Sequence, residues 1–103
     1  MAENVQEVTD EQFEGEVLNA DRPVMLDLWA PWCGPCRMVG PIVDELAEQN
    51  AESLKTCKLN VDENSETAGK FGITAIPTVL FFKDGQEVEE LRMVGAQPKS
   101  AYQ

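Results

Sequence analysis

The stretch Val24-Met25-Leu26-Asp27-Leu28-Trp29 runs almost directly into Trp32-Cys33-Gly34-Pro35-Cys36, and this junction restricts the fold more than any other part of the chain. The first segment is apolar except for one carboxylate. A strand without apolar/polar alternation is one covered on both faces, as in a sheet flanked by helices. After Cys36 the period changes. Val39, Ile42, Val43, Leu46 and Ala47 recur at helical spacing while Asp44, Glu45 and Glu48 fall elsewhere, which predicts a long amphipathic helix starting at Cys33. A buried strand thus feeds a helix start, with two cysteines at the joint. Pro41 lies inside the helix, removes one backbone donor and predicts a kink there.

The flanking sequence extends this into an α/β pattern. Residues 5–8 read as a short first strand. Thr9-Asp10-Glu11-Gln12 resembles a capping box ahead of an apolar helix face made by Phe13, Val17 and Leu18. Residues 54–61 read as the next strand. Asn64-Ser65-Glu66 is expected to cap a short helix ending near Gly72. Residues 78–82 form an apolar strand, and Asp84-Gly85 is a hairpin signal. Beyond it Val88, Leu91 and Met93 break strict alternation once, which predicts a bulge. Gly95 ends that strand, and Pro98 is placed to open a last helix. The order β-α-β-α-β-α-β-β-α predicts parallel pairing early and antiparallel pairing late, in a mixed central sheet with helices on both faces. With 103 residues and no linker, repeat or low-complexity segment, residues 1–103 are expected to form a single domain.

Composition removes several functions. The formal net charge of -11 disfavours nucleic-acid and anionic membrane-surface binding. It suits either a solubilising surface or partners with a basic face. There is no histidine, which excludes Ser-His-Asp and Cys-His catalysis and His-dependent zinc sites. Only Cys57 remains outside the Cys33/Cys36 pair, too few thiols for a closed zinc cage, so no metal is expected. Three cysteines also argue against a disulfide-scaffolded secreted domain. Met1-Ala2-Glu3-Asn4-Val5 carries no basic start or apolar run, so no signal peptide is expected, nor any membrane span. A reducing cytoplasm is the expected compartment.

What remains is the dithiol. A thiolate, not a thiol, attacks disulfides. Cys33 at the helix start faces free backbone N–H groups and the positive end of the helix dipole, which favour its anion. Pro35 suits the first helical turn, where its missing donor costs nothing, and Gly34 leaves room beside the sulfurs. Cys36 lies one turn further in, expected beneath Cys33 and further from water. Cys33 therefore reads as the nucleophile and Cys36 as the resolving thiol. Asp27, within an apolar strand, reads as a buried carboxyl with a raised pKa, able to move the Cys36 proton; the alternative is a solvated position at a sheet edge. Lys58, on the next strand, either tunes Asp27 or is an ordinary snorkelling lysine. Cys57 reads as a buried core thiol, with a regulatory thiol as the alternative.

Together these residues resemble the thioredoxin family. Trp29-Ala30-Pro31-Trp32-Cys33-Gly34-Pro35-Cys36 matches its active-site signature, and Asp27, Pro41, Lys58, Ile76-Pro77-Thr78 and Val94-Gly95-Ala96 follow in family order. The resemblance implies a thioredoxin fold and a dithiol electron carrier that reduces protein disulfides. It implies a redox-active Cys33–Cys36 disulfide and a cis Ile76–Pro77 bond against it. It further implies a substrate groove formed by Trp32, Gly34, Pro35, Ile76, Pro77, Gly95 and Ala96, with Trp29 packed under the motif. Core packing is the alternative reading of both tryptophans, and for Trp32, next to the nucleophile, the groove reading is preferred. Re-reduction is expected from a thioredoxin reductase, NADPH- or ferredoxin-dependent, since no nucleotide fingerprint and no bound cofactor are expected here. A monomer is expected. Two departures stand out. The segment 85–95 is slightly long, and only residues 98–103 follow where the family has a closing amphipathic helix, so that helix is expected to be cut short. A non-catalytic scaffold would not need the cysteine pair with Asp27 and Pro77. An oxidant or isomerase fits poorly with Gly34-Pro35 and no signal peptide.

Overall fold

The computed structural model describes residues 4–97 and 99–102, with side chains of 99 and 100 left aside. The described residues form one mixed sheet. Its strands are β1 (Val5–Glu7), β2 (Val24–Trp29), β3 (Lys55–Asn60), β4 (Thr78–Lys83), β5 (Gln86–Glu87) and β6 (Met93–Val94), in the order β1-β3-β2-β4-β5 with β6 also on β4. β3 pairs in parallel with β1 and β2, whereas β4 is antiparallel to β2, β5 and β6. The expected mixed sheet is therefore present. Its β1–β3 and β3–β2 joints are parallel because helices carry the chain back between strands, and its β4–β5 joint is antiparallel because a tight hairpin makes it.

Each face has its own apolar layer. On one, Phe13, Val17, Leu26, Leu28, Leu59, Leu80 and Phe82 are buried together, with Phe71 beside them. Phe13, Phe71 and Phe82 meet edge to ring, with centroids 5.3–5.7 Å apart. On the other face, Met25 and Val79 of the sheet meet Val39, Val43 and Leu46 of α1 (Gly34–Gln49). Pro41 sits inside this helix.

Local signals account for several boundaries. The capping box forms in both directions: Gln12 N–H donates to Thr9 Oγ1 (3.3 Å) and Thr9 N–H to Gln12 Oε1 (3.2 Å). The helix it opens is a single π-helical turn, Glu14–Leu18. Asp84 and Gly85 have φ of 53° and 82°, the left-handed pair that a tight hairpin needs.

Two expectations need correction. Asn64 stands at the N-cap of α2 (Ser65–Lys70), but its side chain makes no capping bond. The cap is Asp10, whose carboxylate accepts from Glu66 N–H, Thr67 N–H and Thr67 Oγ1 at 3.1, 2.9 and 2.6 Å. Asn64 instead accepts from Asp10 N–H (2.9 Å), which aims the carboxylate. The bulge expected after the hairpin is a larger departure: the chain leaves the sheet, makes a 3₁₀ turn at Glu89–Leu91 and returns as β6. Arg92 anchors the return, donating to both oxygens of Glu87 and to Phe71 O. Pro98 lies outside the described residues. Lys99–Tyr102 forms a 3₁₀ turn that buries Tyr102 against the α1 layer.

Candidate active site

β2 and α1 meet at the cysteines because the chain turns only through residues 30–33 between them. Cys33 is the N-cap of α1, with extended backbone (φ -84°, ψ 107°). Its Sγ accepts from Cys36 N–H at 3.2 Å, so one of the free donors of the first helical turn is aimed at the sulfur. Pro35 occupies the first turn, as expected. Cys33 and Cys36 are joined in a disulfide with Cα atoms 5.3 Å apart.

Exposure does not separate the two sulfurs as expected. Cys33 is 3% exposed and Cys36 7%, so Cys36 is not the further from water. What separates them is their surroundings. Cys33 caps the helix, whereas Cys36 also lines a cleft of about 250 Å³ together with Asp27, Trp29, Gly40, Asp44 and Lys58.

Asp27 is buried at 2% exposure, which rules out the solvated sheet-edge alternative. Burial pushes its pKa up to about 6, opposed by the Lys58 charge and reinforced by that of Asp44. Lys58 is directly opposite Asp27 in the β2–β3 register. Its ion pair nevertheless goes to Asp44, with Nζ 3.3 Å from Oδ1, and not to Asp27. Of the two readings of Lys58, the tuning one fits: its charge acts on Asp27 and opposes the raised pKa, although its ion pair is with Asp44. Asp27 Oδ1 has no hydrogen-bond partner; Asp44 Oδ1 has none either, its contact with Lys58 being an ion pair only.

The residues named for a substrate groove fall into three segments, 32–35, 76–77 and 95–96. Trp32, Gly34 and Pro35 are exposed, Trp32 at 68%, and the indole Nε1–H donates to Asp62 Oδ1 at 3.0 Å. Ile76 packs against the Ala30, Cys33 and Cys36 cluster, and the Ile76–Pro77 bond is cis. Gly95, with φ of 78°, donates its N–H to Pro77 O at 2.8 Å, which brings the Gly95-Ala96 loop beside it. Trp29 packs against the same cluster and keeps a buried, unpartnered Nε1. Cys57 is fully buried on the far face, its thiol pushed up to about 11 by burial, which fits the core reading. Sequence reasoning missed Asp44 and Asp62 as site neighbours. Asp44 was legible only as a polar break in the helix pattern, and Asp62 carried no signal.

Nearly all of the chain matches a known family. Residues 4–103 fit the protein-family model described as Thioredoxin. The chain belongs to the thioredoxin family. Thioredoxin 1 of Nostoc sp. strain PCC 7120 is 53% identical over 94 residues, covering 91% of this chain and 86% of the relative. The thioredoxin of Pseudomonas aeruginosa is 51% identical over 100 residues, covering 97% and 91%. The chloroplastic M-type thioredoxin of Pisum sativum is 51% identical over 96 residues, covering 93% of this chain and 55% of its own length. Family membership and the Cys33–Cys36 disulfide together make this thioredoxin-family chain a thiol–disulfide oxidoreductase. No helix among the described residues is long and apolar enough to cross a membrane.

Proposed function

We propose that this protein is a general reductant of disulfides in other proteins, with Cys33 as nucleophile, Cys36 as resolving thiol and Asp27 as the group that moves the Cys36 proton. The observation that carries the assignment is the shared cleft, in which Cys36 and Asp27 are lining residues together. In the reduced protein the donors at the start of α1 favour the Cys33 thiolate. That thiolate attacks a substrate disulfide, forming a mixed disulfide and releasing one substrate thiolate. Asp27 then takes the Cys36 proton. The Cys36 sulfur bonds Cys33 Sγ, and the Cys33–substrate bond breaks with its electron pair on the second substrate sulfur, which picks up a proton. The substrate gains two electrons and the protein closes its own disulfide.

The substrate lies in the groove of Trp32, Gly34, Pro35, Ile76, Pro77, Gly95 and Ala96. The Ile76 backbone lies outside the ladders of β4 and is free to pair with an extended segment, as an added strand does. Electrons come from a partner, a thioredoxin reductase using NADPH or ferredoxin, and not from a cofactor bound here. The protein works as a monomer in a reducing compartment, the cytoplasm, where thiols are kept reduced.

Insulin reduction driven by NADPH and thioredoxin reductase, or by the ferredoxin system, tests the reading. The wild-type chain should turn over, Cys33→Ser should not, and Cys36→Ser should accumulate mixed disulfides through Cys33. Turnover retained in Cys33→Ser overturns the assignment.

A further inference from the structure

Asp27 faces α1 across the cleft, and α1 presents one stripe to it. Cys36, Gly40 and Asp44 are spaced four residues apart, so they lie on one side of the helix, with Cys36 and Asp44 at opposite ends roughly 12 Å apart. Lys58 stands one strand over from Asp27 on the same face of the sheet. Its ammonium passes close to the helix at Gly40, where an added Cβ would lie 3.6 Å from Nζ, and pairs with Asp44. Neither Asp27 Oδ1 nor Asp44 Oδ1 accepts a hydrogen bond, so what separates the two carboxylates is the ion pair, which Lys58 makes with Asp44 although it stands beside Asp27. An ammonium within reach of a buried carboxylate is drawn to it unless another anion holds it. Asp44 is the other carboxylate lining this cleft.

We propose that Asp44 is a positioning residue for disulfide exchange: it engages Lys58 at the end of the cleft away from Cys36 and so keeps the ammonium off Asp27, leaving that carboxyl as the base for the Cys36 thiol. The proposal rests on the reading of Asp27 as that base. The other groups facing Asp27 are Cys36 and Arg37 of α1, which line the cleft, and Tyr102, whose hydroxyl feels the Asp27 charge; Val79, opposite on β4, brings none. Arg37 is exposed and turns its guanidinium to Pro31 O, so Lys58 is the cation that Asp44 must hold. Removing the Asp44 charge acts twice in the same direction. It deletes a like charge near Asp27 and releases Lys58 toward it, and both favour the ionised carboxylate, making it a weaker base.

The test titrates the Asp27 carboxyl by ¹³C NMR in the oxidised protein and follows resolution of a preformed mixed disulfide against pH. Asp44→Asn should lower the Asp27 midpoint by roughly one pH unit. It should slow resolution severalfold at neutral pH and leave the first attack by Cys33 unchanged, while Asp44→Glu restores both. In a Lys58→Met background the same Asp44→Asn change should move the midpoint less than half as far. An unmoved midpoint, or equal movement with and without Lys58, overturns the proposal. The reading of Asp27 fails separately, if Asp27→Asn leaves the acid limb of resolution in place.

Discussion

The two faces of the central strands share a backbone and little else. On β2 and β3, Leu26, Leu28, Cys57 and Leu59 belong to the face covered by Phe13, Val17 and Phe71, and all four are fully buried and apolar. The residues between them, Met25, Asp27, Thr56 and Lys58, alternate to the α1 face, and three of the four are polar. Thr56 Oγ1 and Asp27 Oδ1 are buried there without partners. A period of two lets one strand serve a dry core on one side and a reactive cleft on the other. The α1 face also has an apolar layer around Met25, Val79 and Val43, but beside it lies the polar cleft, so disruption of each face should have a different signature.

The largest effect is expected on the dry face. Phe82 is buried between β4 and the rings of Phe13 and Phe71. Phe82→Ala should destabilise by about 3–5 kcal/mol, from lost burial and the cavity left behind. Urea unfolding measures this, and exchange activity per folded molecule should stay near wild type. A loss below about 1 kcal/mol would mean that this face collapses around the gap.

Asp27→Asn should do the opposite. The folded pKa of about 6 lies above its ordinary 3.8, so the native state binds the proton more tightly than the unfolded chain. Its stabilising contribution is present in full below about pH 4 and is lost as pH rises through 6. By pH 7 the charged carboxyl costs about 3 kcal/mol, the equivalent of that pKa difference. Asp27→Asn should therefore be more stable than wild type by up to that amount at neutral pH, with the gain vanishing near pH 4, and should turn over more slowly. Unfolding curves at the two pH values decide it; a gain independent of pH would remove ionisation as the cause.

Asp10 gives the reverse pH sign on the other face. Burial is the largest single influence on it and raises its pKa, but the bonds from Thr67 and Glu66 together outweigh this and lower it. Its contribution is present above the ordinary carboxylate range and is lost as pH falls through the lowered value. Asp10→Ala uncaps α2 and should cost about 1–2 kcal/mol at neutral pH, read by thermal melting. The same penalty persisting at pH 2 would place the role of Asp10 outside its charge.

These residues also mark what the sequence made legible. β2, the start of α1 at Cys33, the Thr9/Gln12 box and the Asp84-Gly85 turn follow from local chemistry, because each is decided by residues within one turn or one strand. The burial of Asp27 was legible from its apolar neighbours. The Asp10 cap joins positions 56 and 57 residues apart, and the Lys58–Asp44 pair joins a strand to a helix. Neither pairing is encoded by spacing; both arise only when the sheet brings α2 to the first loop and α1 over β3. The 3₁₀ turn at Glu89–Leu91 was visible only as failed alternation, since its anchor, Arg92 to Phe71 O, is also long-range.

Gly40→Ala should be the smallest perturbation and the most discriminating for the cleft. Glycine within a helix is disfavoured relative to alanine by about 0.5–1 kcal/mol, so the substitution should stabilise α1 by up to that amount. The new Cβ would meet Lys58 Nζ at 3.6 Å, an ordinary contact that leaves the ion pair with Asp44 undisturbed. Thermal melting should show the gain, and the Asp27 titration should stay where it is. A lowered Asp27 midpoint would mean that the methyl group pushes Lys58 off Asp44 and toward the buried carboxyl, so that the gap above Gly40, and not Asp44 alone, holds the lysine in place.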